Sequence, residues 1–185
     1  MGWLAIGAGV AFGTAMALLA SFFVTKDERY DRAAEWSFVA FGLLGVPAAI
    51  AIADRLSGAG PASNVVAGLG IAGIAATALG ELGTTLGLLD FRRVAAILSL
   101  AFVAILLWVG GASVLALSTG AFPAAAGWLG LATIVVVLAL FVAIAIRTPG
   151  MFTGAADPPR GPMVAFFVPL VGIVAWLVWM GIGLG

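Results

Sequence analysis

The sequence predicts an all-α polytopic membrane protein, a single domain over residues 1–185 built from six transmembrane helices. Three observations carry that expectation. Hydrophobic residues make up 64% of the chain and charged residues only 9%, with a mean hydropathy of +1.25. Six stretches reach the length of about 20 apolar residues that a helix needs to cross the hydrocarbon core. Apart from one glutamate, the charges fall in the connections or at helix ends. A soluble domain of this size leaves much of its surface in water, so the fitting solvent for so apolar a chain is lipid.

The first span runs from Gly2 to Val24. It lacks the basic n-region of a secretory signal and stays apolar longer than an h-region, so it reads as a retained span. The segment 25–35, TKDERYDRAAE, is the most charged in the chain and reads as a loop. Thr25 and Glu28 have capping-box spacing, so a short interfacial helix is expected there. The second span is Trp36 to Ala53, with Pro47 inside it, which frees the carbonyl of Leu43 and is expected to kink the helix. Arg55 to Asn64 is rich in Gly, Pro and Ser and reads as a loop. The third span, Val65 to Leu89, is joined to the fourth, Val94 to Leu117, by a turn at Asp90-Phe91-Arg92-Arg93. Ser118 to Pro123 is a second short turn, before the fifth span, Ala124 to Ile146. Arg147 to Pro162 holds four prolines, which leaves little room for regular structure, and the sixth span is Met163 to Leu184, with Pro169 inside it.

Orientation follows from the basic residues. The connections after spans one, three and five hold Lys26, Arg29, Arg32, Arg92, Arg93, Arg147 and Arg160, against Arg55 alone on the other side. Both termini are therefore expected outside, in a multi-pass protein of the cell membrane. Trp3, Trp128, Trp176 and Trp179 then fall toward the outer interface and Trp36 at the inner one, as an aromatic belt. Trp108 falls well inside span four and reads as packing, lipid contact or the wall of a pocket.

Composition also excludes chemistry. There is no Cys and no His, which removes disulfides, thiol catalysis, zinc sites built on those residues and His-ligated haem. The commonest general base is missing too. No catalytic residue, metal site or cofactor is expected, and the chain does not read as an enzyme. With zero net charge and no basic tail, nucleic acid is not an expected partner; the lipid bilayer is.

The exceptional charge is Glu81, inside the apolar stretch Gly68–Leu89. A carboxylate at the centre of a membrane helix costs roughly 2.5–3.5 kcal/mol on insertion scales, which makes it a functional candidate by default. On a helical wheel, Thr77, Thr84, Thr85, Gly70 and Gly73 share its sector, so an ion- or proton-binding group of Glu81, Thr77, Thr84 and Thr85 is expected, on a face that packs against protein. Gly68, Ala72, Ala76, Gly80 and Thr84 also recur at four-residue spacing, and Gly83 to Gly87 is a GxxxG, rows that let backbones approach. Gly9, Gly13 and Ala17 in span one offer a matching surface. With no base at comparable depth, three states of Glu81 remain open: a neutral acid that exchanges a proton or cation, a neutral acid that ties helices together, and an ionised one in a water-filled vestibule. The first loop adds Asp27, Glu28, Asp31 and Glu35, which read as a solvated face, without the spacing of a calcium loop.

Gly68–Leu89 resembles the carboxylate-bearing helix of rotary ATPase proteolipids, which implies an ion-binding role for Glu81. Ala11-Phe12-Gly13-Thr14-Ala15 resembles the docking row in the first helix of the substrate-binding subunits of energy-coupling-factor vitamin transporters. Gly127-Trp128-Leu129-Gly130-Leu131 resembles segments of uncharacterised bacterial multi-span proteins. The function expected is a small channel or carrier, or the membrane subunit of one. The alternative is an assembly or accessory subunit. Small-residue faces suit a homo-oligomer or a partner in a membrane complex as well as internal packing.

Overall fold

The structure, a computed structural model, describes residues 1–147 and 160–185, with side chains at 1–90, 94–147 and 167–185. Its elements are α1 (Gly2–Thr25), α2 (Glu28–Arg55), α3 (Pro61–Thr85), α4 (Phe91–Thr119), α5 (Ala124–Arg147) and α6 (Arg160–Leu184), and no strand occurs among the described residues. All six are long and apolar enough to cross a membrane. Consecutive helices pack side by side, and α6 returns to α1, so the bundle is a closed ring.

The ends of the helices differ from the sequence expectation for local reasons. The charged segment after α1 is not a loop. Lys26 takes a left-handed conformation, φ 61°, and stops α1, and Asp27 then caps α2 by accepting a hydrogen bond from Arg29 N at 2.9 Å. The residues from Glu28 to Glu35 are thus the first two turns of α2, and no separate interfacial helix forms. Thr25 does not cap it: its hydroxyl donates to Ser21 O within α1. The expected loop at 55–64 shrinks to Leu56–Gly60, with a 3-10 turn at Ser57–Ala59, because Pro61 opens α3 at its first position. The turn between α3 and α4 comes earlier than expected, around Gly87, φ 68°, whose N–H bonds Thr84 O while Leu88 N bonds Gly83 O. That pair of bonds is a Schellman cap. Asp90 then precedes α4, and residues 91–93 belong to its first turn. The turn at 120–123 agrees with expectation. Of the proline-rich connection, 148–159 lies outside the described residues, and Arg160 and Pro162 already belong to α6. Pro47 and Pro169 both sit within uninterrupted helices.

Glycines set the helix contacts. A Cβ on Gly9 would stand 3.2 Å from Leu177 Cβ, and one on Gly13 3.2 Å from Val174 Cγ2. The small-residue row of α1 therefore packs on α6, not on α3 as expected. On α3, Gly70 meets the Trp108 ring and Gly73 meets Ala101 O and Ile105, so its close face toward α4 runs through Gly70, Gly73, Thr77 and Gly80. The four-spaced row expected there is not a packing row, since Gly68 and Ala72 are exposed and nothing lies within 4 Å of a Cβ on Gly68.

The interior is filled by large side chains. Phe12, Phe41, Ile74, Ile105, Trp108, Ile173 and Trp176 are each at most 1% exposed. Trp108 and Trp176 meet edge to face, ring centroids 5.2 Å apart at 89°. Trp108 is therefore core packing, without lipid contact. Trp176 is not an interface residue as expected, whereas Trp3, Trp36, Trp128 and Trp179 are exposed. The buried hydroxyls of Ser63, Thr77, Ser113 and Thr133 each donate to a carbonyl three or four residues earlier. Trp176 Nε1 is buried without an acceptor among the described residues.

Candidate functional site

The polar site lies at one end of the bundle, where α1, α2 and α3 meet. α2 has 28 residues. At about 1.5 Å per residue it is some 42 Å long, more than the roughly 30 Å of hydrocarbon, so one end must project. Glu28, Arg29, Asp31, Arg32 and Glu35 identify that end. Glu28, Asp31 and Glu35 follow spacings of three and four, so one face of the projecting turns carries all three acids. That face looks into a cleft of ≈ 480 Å³ lined by Phe22, Lys26, Glu28, Asp31, Arg32, Glu35, Thr84 and Thr85. Lys26 Nζ stands 5.2 Å from the ring centroids of both Phe22 and Phe23, a cation–π contact that holds it over the end of α1.

Glu81 does not line this cleft; Thr84 and Thr85, three and four residues further along α3, do. Glu81 lies four residues before the end of α3, and is neither fully buried nor exposed. With α3 centred on the hydrocarbon, its Cα falls only about 2–3 Å inside the edge. Its charged neighbours are Glu35 and Asp31, from α2. The sequence does not pair either of them with Glu81, because 25–35 reads as a loop there. The signal it does offer is Asp27, a cap residue directly ahead of three acids on one helical face.

The threonines do not surround the carboxylate. Thr77 Oγ1 donates to Gly73 O at 2.9 Å and is buried against α4. Thr84 Oγ1 donates to the backbone carbonyl of Glu81 at 2.8 Å. Thr85 Oγ1 lies 2.8 Å from that same carbonyl and 2.9 Å from Glu35 Oε2. So Thr84 and Thr85 are brought to the cleft, Thr77 is not, and the hydroxyl contact to a carboxylate goes to Glu35. Among the described residues nothing donates a hydrogen bond to the Glu81 carboxylate.

The acids repel one another. Asp31, in the projecting turns of α2, has its carboxyl pushed above its ordinary value by burial and then by the nearby charges of Glu35 and Glu28. Among the described residues no three acids converge closely enough to hold one metal ion. Chemically, each of these carboxylates is a separate proton acceptor.

No family model, curated protein or solved structure matches the chain.

Proposed function

We propose that the protein is a small carrier of the cell membrane, or the membrane subunit of one, in which Glu81 takes up and releases a proton or monovalent cation delivered through the cleft beside Glu35 and Asp31. The observation that supports this reading is the position of the Glu81 carboxylate. It lies one turn before Thr84 and Thr85, which line the charged cleft, near two other acids and without a hydrogen-bond donor among the described residues. A glutamate kept only to tie helices together would be bonded across a helix interface. The filled interior favours a carrier over an open pore, since the large side chains of Phe12, Phe41, Trp108 and Trp176 are fully buried in it. The excess of basic residues at the end holding the cleft favours a cytoplasmic opening.

That same filled core is the observation behind a second reading, an accessory subunit with no flux of its own. Reconstitution in liposomes separates the two. The native chain is expected to carry proton or cation flux that Glu81→Gln abolishes. Equal flux in both proteins removes Glu81 from the mechanism, and no flux from a folded native chain favours the accessory role.

A further inference from the structure

A second cleft lies on the outer side of α2, lined by Glu28, Arg29, Arg32, Ala33 and Trp36, with a volume of ≈ 500 Å³. Spacings of three, four and seven place Arg29, Arg32 and Trp36 on one face of the helix. Both arginines are exposed, and neither pairs with an acid within 4 Å among the described residues. Trp36 is 51% exposed at the point where the charged turns give way to the apolar part of the helix, the level at which tryptophans mark a membrane–water interface. The same face continues into the membrane. Leu43, 73% exposed, lies seven residues beyond Trp36, and Ile50, 45% exposed, lies seven beyond that. Seven residues fall about 20° short of two full turns, so Arg29, Trp36, Leu43 and Ile50 form one nearly straight lane along α2. The exposure of all four shows that no helix of the bundle covers it.

Guanidinium groups, an aromatic collar and an apolar strip, in that order along a membrane normal, match the order of parts in a phospholipid. The planar fork of arginine fits phosphate oxygens in pairs, and two guanidiniums against the single carboxylate of Glu28 leave the cleft net positive, which favours an anionic headgroup over a zwitterionic one. A free phosphate would leave the apolar strip unused. We propose that this face of α2 binds an anionic phospholipid, its headgroup phosphate between Arg29 and Arg32, its glycerol region beside Trp36 and an acyl chain along Leu43 and Ile50. The site shares Glu28 and Arg32 with the acidic cleft, but it does not rest on the transport reading.

The test is thermal unfolding of the full chain in detergent micelles with added phosphatidylglycerol, phosphatidylcholine or inorganic phosphate. Phosphatidylglycerol is expected to raise the midpoint beyond the effect of phosphatidylcholine, and inorganic phosphate to leave it unchanged. In the Arg29→Gln/Arg32→Gln variant the excess is expected to vanish, with phosphatidylglycerol binding about fivefold weaker for each arginine removed. Equal responses to the two lipids, an undiminished excess in the variant, or reproduction of the effect by inorganic phosphate overturns the proposal. Should the double variant fail to fold, tryptophan quenching by brominated phosphatidylglycerol in nanodiscs replaces it. Quenching should exceed that by brominated phosphatidylcholine and the excess should be lost in Trp36→Phe; an excess that survives the substitution, or none in the native chain, overturns it equally.

Discussion

Gly70 and Gly68 lie two residues apart on α3 and have opposite surroundings. A Cβ on Gly70 would come 2.7 Å from three atoms of the Trp108 indole, which is itself 1% exposed and cannot retreat. A Cβ on Gly68 meets nothing. Gly70→Ala is expected to destabilise the protein by about 1–3 kcal/mol through overpacking. Gly68→Ala should be neutral or stabilising by up to about 1 kcal/mol, from helix propensity alone. Unfolding in mixed micelles measures both, and a Gly70→Ala protein as stable as the native one would contradict the described approach of α3 to α4. Thr85 poses a sharper accounting question, because its hydroxyl has one hydrogen and two acceptors in reach, the Glu81 carbonyl and Glu35 Oε2. The single hydrogen serves one acceptor at a time, so the hydroxyl either ties α3 to α2 or closes the last turn of α3. At this scale the sequence exposed Glu81 as the odd charge in an apolar run. It could not expose the contact with Glu35, which depends on how α2 and α3 are aligned, nor that Thr77 is buried apart from Thr84 and Thr85 at the cleft.

At the scale of elements, the two-residue link between α1 and α2 decides where the acids stand. Lys26 reverses the chain, and Asp27 restarts it as helix so that Glu28, Asp31 and Glu35 become a face instead of a tether. Asp27→Ala removes the acceptor for Arg29 N and is expected to cost about 1 kcal/mol. Because the first turns of α2 carry the acids, hydrogen exchange at Glu28–Asp31 should rise in that variant while exchange in the apolar part of α2 stays as it was. Uniform change along α2, or none, would mean that Asp27 is not the cap. The existence of all six helices was legible from apolar length, a property of composition. Their ends were not, because charged residues serve equally as loop and as the exposed first turns of a helix. Only the caps at Asp27, Pro61 and Gly87 distinguish the two.

For the whole molecule the decisive contact is α6 against α1, which turns a row of hairpins into a ring. The glycines of α1 signalled a close helix neighbour but not which one, since Gly9 and Gly13 would accept α3 as readily as α6. The chain has no cysteine, so an introduced pair reports cleanly. A Cβ at position 9 lies 3.2 Å from that of Leu177, close to the roughly 3.5–4.5 Å of a disulfide. Gly9→Cys with Leu177→Cys is expected to cross-link on mild oxidation and to shift on a non-reducing gel, and a pair that stays reduced would argue against closure. The two indoles at the centre of the ring have an optical consequence. Trp108 and Trp176, perpendicular at 5.2 Å and shielded from water, are close enough for their excited states to mix. Their emission belongs at the blue edge of tryptophan fluorescence, beyond the reach of iodide or acrylamide. The pair also adds a coupled band to the circular dichroism that disappears once the helices part, giving the folded ring a colour of its own.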